Sequence, residues 1–191
     1  MILSKKSIRK LETMASLITH PLIPIAARIG LGNQVISDRL LIAGMMASMV
    51  PDADVITFSF DIPYASPWGH RGFTHSFAFA AFLGLVAAWA HQTFHATRKT
   101  AFWLVFLSCA SHAILDAMTD GGLGSAFFWP LSDARYFLPW QPIEVSPIGL
   151  SRFLSDRGLT VLASEMIYVW LPLAALTSAI RAGIKGQRLS G

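Results

Sequence analysis

The sequence predicts an all-α protein, a polytopic integral membrane helical bundle with four to five transmembrane helices in one domain covering residues 1–191. Charged residues are only 14% of the chain, whereas a soluble globular domain carries about 25%. Hydrophobic residues reach 53%, and the mean hydropathy is +0.51. Disordered, collagen-like and coiled-coil chains are excluded, because each needs a polar or strictly periodic composition.

Windows without charge indicate where the spans lie. Residues 72–97 contain no Asp, Glu, Lys or Arg, and a span needs roughly 20 apolar residues. We therefore expect a transmembrane helix over 74–95, with Thr74 as its N-cap. Further spans are expected over 100–115 and over 159–180, the latter kinked at Pro172. The window 40–51 is short enough to be either a buried or a half-spanning helix.

The segment 119–158 contains four prolines and several aromatic residues. Closely spaced prolines prevent a long helix, and Trp and Tyr are typical of the membrane interface. We expect an ordered loop at the depth of the lipid headgroups.

The N-terminus is basic and precedes an apolar stretch over 14–27. His20, Pro21 and Pro24 interrupt that stretch, so a cleaved secretory signal is not expected. If the segment after His20 crosses the membrane, the positive-inside rule places the candidate site in the cytoplasm. If that segment is ignored, four spans remain and the site lies outside, so the orientation stays open.

The residues able to bind a metal are His and Asp. The single cysteine, Cys109, can form neither an internal disulfide nor a thiolate cage. The candidates fall in four clusters along the chain: His20; Asp52 and Asp54; His70 and His75 around Arg71; and His112 and Asp116. Any metal here must use imidazole and carboxylate ligands.

Each cluster has a functional and a purely structural interpretation. His112 and Asp116 are four apart on a predicted helix and share a face, so they could bind a cation or simply hydrogen-bond to each other. Asp52 and Asp54 repel each other unless a cation or donors lie between them, although they could form an ordinary turn. The histidines around Arg71 could instead be interfacial anchors.

The positions of the clusters favour a common site. If the three predicted segments alternate in direction, the Asp pair, the Arg71 region and the His112 pair all emerge at one membrane face. His91 and His95 have the same spacing of four, but His91 is 16 residues beyond His75, about 24 Å along a helix. We therefore expect His91 and His95 at the opposite face.

In this order, the clusters resemble the YdjM-like family of membrane-bound metal-dependent hydrolases of the bacterial inner membrane. The resemblance covers roughly residues 19–140 and depends chiefly on the block Gly-His-Arg-Gly-Phe-Thr-His-Ser at 69–76, with Pro-Asp-x-Asp and Ser-His-x-x-x-Asp beside it. It implies a metal-dependent hydrolase with a multi-pass location in the inner membrane.

We expect one or two divalent ions, zinc by ligand type, at seven residues: His20, Asp52, Asp54, His70, His75, His112 and Asp116. The metal would activate water against an ester or phosphoester, for example in a phospholipid, and Arg71 would be catalytic by stabilising the developing negative charge. Membrane lipid is the expected partner, and nucleic acid is not.

The alternative is a non-catalytic membrane protein, either a metal carrier or an assembly factor with a structural His/Asp cluster. A carrier normally places its ionisable residues near the bilayer midplane. Here most of them are predicted at helix ends, which favours an enzyme.

Overall fold

The structure is a computed structural model that describes residues 13–14, 18–147 and 156–189. Its α-helices are α1 (Leu22–Leu31), α2 (Asp38–Met49), α3 (Phe77–Trp89), α4 (Arg98–Ala117), α5 (Asp156–Glu165) and α6 (Leu171–Leu189). Two 3-10 helices lie at Val50–Phe60 and Phe73–His75, and a π-helical turn, Met166–Trp170, joins α5 to α6. Thr13–Met14 pairs antiparallel with Ser146–Pro147 in a minimal sheet.

The all-α membrane fold is confirmed. Among the described residues, three helical segments are long and apolar enough to cross a membrane: Asp38–Phe60, Arg98–Ala117 and Asp156–Gly186. Two shorter apolar helices, α1 and α3, complete the bundle. The expected spans over 100–115 and 159–180 fall inside two of the long segments.

The short window at 40–51 belongs to a longer segment than its composition suggests. Ser37 caps α2 by accepting a hydrogen bond from the Leu40 N–H at 3.2 Å. Pro51 ends the α-helix, because it has no N–H to donate. The chain nevertheless continues as a 3-10 helix, giving a segment of 23 residues from Asp38 to Phe60.

The predicted helix over 74–95 is too long at both ends. Ser76, not Thr74, is the N-cap of α3, and its hydroxyl accepts from the Phe79 N–H at 3.0 Å. Thr74 lies in the preceding 3-10 turn and donates to Asp54 Oδ2 at 2.6 Å. At the other end the helix stops at Trp89, so it has 13 residues and leaves His91 and His95 in the following turns.

Small side chains let the helices approach closely around α4. Ala80, Gly84 and Ala87 of α3 are buried. A Cβ atom added at Gly84 would lie 3.0 Å from the Phe102 ring of α4, so any larger residue here would push the two helices or the ring apart. Close approach of small residues is the usual basis of helix packing in membranes. It fixes the end of α4, with His112 and Asp116, against the start of α3.

The irregularity expected at Pro172 takes the form of the π-helical turn just before it. Without an N–H, Pro172 cannot donate to the carbonyl one turn earlier, and the Leu171 N–H instead donates to the Met166 carbonyl. Around this turn, Glu165 Oε2 accepts from the Thr19 hydroxyl at 2.7 Å, and the Trp170 indole N–H donates to the same hydroxyl oxygen at 2.8 Å. The turn therefore ties the last helix to the segment that precedes α1.

The loop after α4 is ordered as far as it is described, to residue 147, and it folds back over the bundle. Arg135 donates to the carbonyls of His70, Tyr64 and Ser66 at 2.8, 3.1 and 2.8 Å. These bonds tie the loop to the segment before α3. The expected depth of this loop at the lipid headgroups stays a prediction. Residues 148–155 lie outside the described residues, as do the basic N-terminal residues on which the prediction about a secretory signal depends.

Candidate metal centre

All seven predicted ligands lie together at one end of the bundle, and all are buried. His20 precedes α1, and Asp52 and Asp54 lie in the 3-10 helix after α2. His70 and His75 precede α3, and the other two residues lie in the last turns of α4. Helices running in alternating directions bring these ends together.

Four side chains form the core of the site: Asp52, His75, His112 and Asp116, whose ligand atoms lie within 4.8 Å of one another. His112 Nε2 is 3.1 Å from His75 Nε2, 3.3 Å from Asp52 Oδ1 and 3.8 Å from Asp116 Oδ2. His75 Nε2 is 3.2 Å from the same Asp116 oxygen. With zinc-to-ligand distances of about 2.0–2.2 Å, the edges of a tetrahedron are about 3.3–3.6 Å. These four of the six ligand-to-ligand separations are close to the edge length of a tetrahedral zinc site.

Hydrogen bonds at the Nδ1 atoms direct both core imidazoles toward this centre. His112 Nδ1 lies 2.7 Å from the Ser48 carbonyl oxygen, which can only accept, so this nitrogen carries the proton. His75 Nδ1 lies 3.0 Å from the Thr74 hydroxyl oxygen and 3.3 Å from Asp54 Oδ2. A proton on Nδ1 leaves the lone pair on Nε2, and such partners commonly orient metal-binding histidines.

Asp54 belongs to a second group, with His70 and His75, but its oxygens already face donors. Oδ1 lies 2.6 Å from His70 Nδ1. Oδ2 accepts from the Thr74 hydroxyl at 2.6 Å and from the Arg71 backbone N–H at 3.1 Å. The Asp54 carboxylate is thus placed to hold the segment before α3 and to orient two histidines.

His20 lies directly over the core of the site. Its ring stacks on that of His112 with centroids 3.7 Å apart, and its Nε2 is 3.9 Å from Asp52 Oδ2. Burial, with the nearby His112, lowers the pKa of His20 to about 3. His20 is therefore neutral at physiological pH, which is the form that can bind a metal.

Several buried polar atoms at this end of the bundle have no hydrogen-bond partner. Among the described side chains they include both ring nitrogens of His20, both oxygens of Asp52 and Nε2 of His70. A buried polar atom left unbonded costs about 1–3 kcal/mol, more if it is charged. Such atoms concentrated in one place are the arrangement expected of a ligand set for a cation.

Arg71 is fully buried, and its guanidinium contacts protein oxygens on every side. Its Nε lies 3.0 Å from Asp116 Oδ2, and its Nη atoms donate to the Gly121 carbonyl at 3.0 Å and to the Thr119 hydroxyl at 3.3 Å. Its backbone φ is +60°, a conformation uncommon for residues other than glycine and typical of strained functional sites. A substrate contact by Arg71 stays a prediction.

Sequence reasoning missed Tyr64, whose ring stacks on His70 with centroids 5.2 Å apart. Its hydroxyl is buried, and burial raises its pKa. Gly122 adjoins it: an added Cβ would lie 2.7 Å from Arg71 Nη1 and 2.8 Å from the Tyr64 hydroxyl. Gly121 and Gly122, directly after Asp120, could have indicated this contact, because glycines allow the loop to pass close to the side chains of Arg71 and Tyr64. Nothing in the sequence indicated that the Ser48 carbonyl would accept a hydrogen bond from His112.

His91 and His95 lie at the other end of the bundle, beyond the end of α3. His91 Nδ1 faces the Ala96 carbonyl at 3.0 Å, and neither histidine belongs to a candidate ligand group.

We expect His91→Ala and His95→Ala to retain the wild-type content of divalent metal, because α3 separates both residues from His75. Elemental analysis of each purified variant beside the wild type would check this. Loss of metal in either single variant would contradict the assignment of these histidines to the opposite end.

The helical bundle and its buried site define the class: a polytopic integral membrane protein with a His/Asp cluster that could hold a metal ion. The family model of the YdjM inner membrane protein matches residues 14–187, and the chain belongs to this family. It is 43% identical over 160 residues, 83% of this chain and 92% of the relative, to the inner membrane protein YbcI of Escherichia coli strain K12. These likenesses place the protein in the bacterial inner membrane. No solved structure matches the chain.

Proposed function

We propose that this protein is a metal-dependent hydrolase of the inner membrane whose substrate is an ester or phosphoester, with a phospholipid as one candidate. The observation that carries the proposal is the buried set of Asp52, His75, His112 and Asp116, whose ligand atoms all lie within 4.8 Å of one another. Zinc is the proposed metal, because imidazole and carboxylate ligands in a tetrahedral arrangement suit it. When bound, the metal supplies Lewis acidity that activates water and polarises the scissile group.

The remaining predicted ligands have different proposed roles. His20 is a neutral imidazole over the core and is available as a further ligand. Asp54 is proposed to position His70 and His75, because its oxygens face donors.

Arg71 is proposed as a positioning residue. Its contact with Asp116 and with two groups of the following loop holds that carboxylate in place. With its nitrogens occupied in this way, the guanidinium can act on a substrate only through Asp116 or after the loop moves.

One observation favours the non-catalytic alternative, a metal carrier or an assembly factor. His20, His70, His75 and His112 are at most 1% exposed, and a closed ligand set is typical of a structural metal site. A catalytic site must keep a position open for water or substrate.

Turnover measurements distinguish the two functions. We expect zinc-loaded protein in detergent to hydrolyse a generic phosphoester or a phospholipid, to stop when a chelator removes the metal, and to recover when zinc is returned. Asp52→Asn, which keeps the shape and removes the charge, should be inactive, whereas His91→Ala should match the wild type. Stoichiometric metal without turnover of any ester or phosphoester would support the non-catalytic function.

A further inference from the structure

An apolar groove runs along the outside of the bundle between α1 and the last helix. Its cavity volume is about 310 Å³, and almost all of its lining is apolar, with Leu22, Ile25 and Ile29 on one side and Trp170, Leu173 and Ala174 on the other. In a membrane protein, such a groove on the outside of the bundle faces hydrocarbon chains.

A basic pocket adjoins the groove at the end of the bundle opposite the metal centre. This pocket has a volume of about 550 Å³ and contains Arg28, Arg181 and Lys185, and Ile29 lines both cavities. Arg28 is paired, since it donates to Asp38 Oδ1 at 2.6 Å. In the described part of the chain, the side chains of Arg181 and Lys185 have no ion-pair partner.

Arg181 and Lys185 are four residues apart on α6 and so share one face of the helix. The groove residues Leu173 and Thr177 continue the same face at the same spacing. One helix face therefore changes from apolar to cationic along its length, which is the distribution of polarity in a lipid with an anionic headgroup.

We propose that the groove and pocket bind one anionic phospholipid, with an acyl chain along the groove and the phosphate at Arg181 and Lys185. The cationic side chains of Arg181 and Lys185 beside an apolar groove complement such a lipid in both charge and hydrophobicity. This site is separate from the metal centre: His20 and Arg28 lie at opposite ends of α1, eight residues or about 12 Å apart along the helix axis.

Native mass spectrometry of the full-length protein in detergent tests this proposal, with phosphatidylglycerol and phosphatidylcholine titrated separately. We expect the wild type to retain one phosphatidylglycerol more tightly than phosphatidylcholine. Arg181→Gln combined with Lys185→Gln should weaken phosphatidylglycerol binding about tenfold or more, because each basic residue contributes attraction to an anionic lipid. Ala174→Phe, which fills the groove and keeps both charges, should weaken both lipids.

The matched control is Arg39→Gln combined with Arg98→Gln, which removes the same charge from the same end of the bundle. Neither residue lines the groove or the pocket, so phosphatidylglycerol binding should stay near the wild-type value. Equal weakening in the control, or equal retention of the two lipids by the wild type, would overturn the proposal in favour of diffuse charge attraction. Arg181 and Lys185 are exposed, so their replacement by glutamine should not disturb the fold. The double variant therefore tests the proposal even if Ala174→Phe fails to fold.

Discussion

Purified His112→Ala protein is expected to bind divalent zinc at least about 100-fold more weakly than the wild type. His112 Nε2 lies within 3.8 Å of three other ligand atoms, from His75, Asp52 and Asp116, so the variant loses the residue common to most of the close pairs. Removing even a partner that only orients a ligand typically costs 10–100-fold in metal affinity. Competition with a chromogenic chelator would measure the change.

The control for this experiment is His91→Ala, which removes an imidazole from the other end of the bundle. His20→Ala measures the contribution of His20 to zinc affinity, because it removes the ring stacked on His112 and leaves the four core residues in place. Negligible metal in both the wild type and His112→Ala would refute the metal centre, and wild-type affinity in His112→Ala would refute the ligand set.

The second large effect is expected on stability. We expect Arg71→Met to lower the free energy of unfolding by about 3–5 kcal/mol in chelator-treated protein, because the buried Asp116 carboxylate loses its guanidinium partner. Arg71 and Asp116 are both fully buried, with Nε and Oδ2 3.0 Å apart. Denaturant unfolding in detergent, followed by tryptophan fluorescence, would measure the loss.

A double variant separates the charge effect from the loss of packing. Arg71→Met combined with Asp116→Asn should recover at least half of the lost stability, since the carboxylate that lost its guanidinium partner is then replaced by a neutral amide. Arg157→Met is the matched control: its ion pair with Glu144 is 44% and 40% exposed, and exposed pairs contribute at most about 1 kcal/mol. A similar cost for Arg71→Met and Arg157→Met would contradict the buried pair.

Much of the fold could be predicted because composition and charge-free windows follow directly from the bilayer. The window over 100–115 lies within α4, and Glu165 is the one charged residue in the window 159–180. The ends of α3 were wrong for a local reason. Thr74 and Ser76 are both good caps, and the choice between them depends on Asp54, which binds the Thr74 hydroxyl from another part of the chain.

The candidate site was predicted in its membership but not in the roles of its residues. Charged residues are only 14% of the chain, so the positions of the His and Asp clusters were easy to recognise. Whether a carboxylate faces a metal or a set of donors depends on backbone groups, such as the Arg71 N–H at Asp54 and the Ser48 carbonyl at His112. Backbone partners have no residue signature, and the contacts of Arg71 with the loop after α4 arise only from the tertiary fold.

The π-helical turn at Met166–Trp170 determines which face of the last helix is turned toward the rest of the bundle. At 100° per residue, two positions five apart on an α-helix point about 140° away from each other. Glu165 and Trp170 are five apart, yet both reach the hydroxyl of Thr19. The wider turn takes up the excess rotation, so Glu165 and Trp170 lie on one face of the helix and both contact Thr19, the residue next to His20. The apolar residues of the following turns then face α1. A regular helix with the same sequence could make only one of these two contacts.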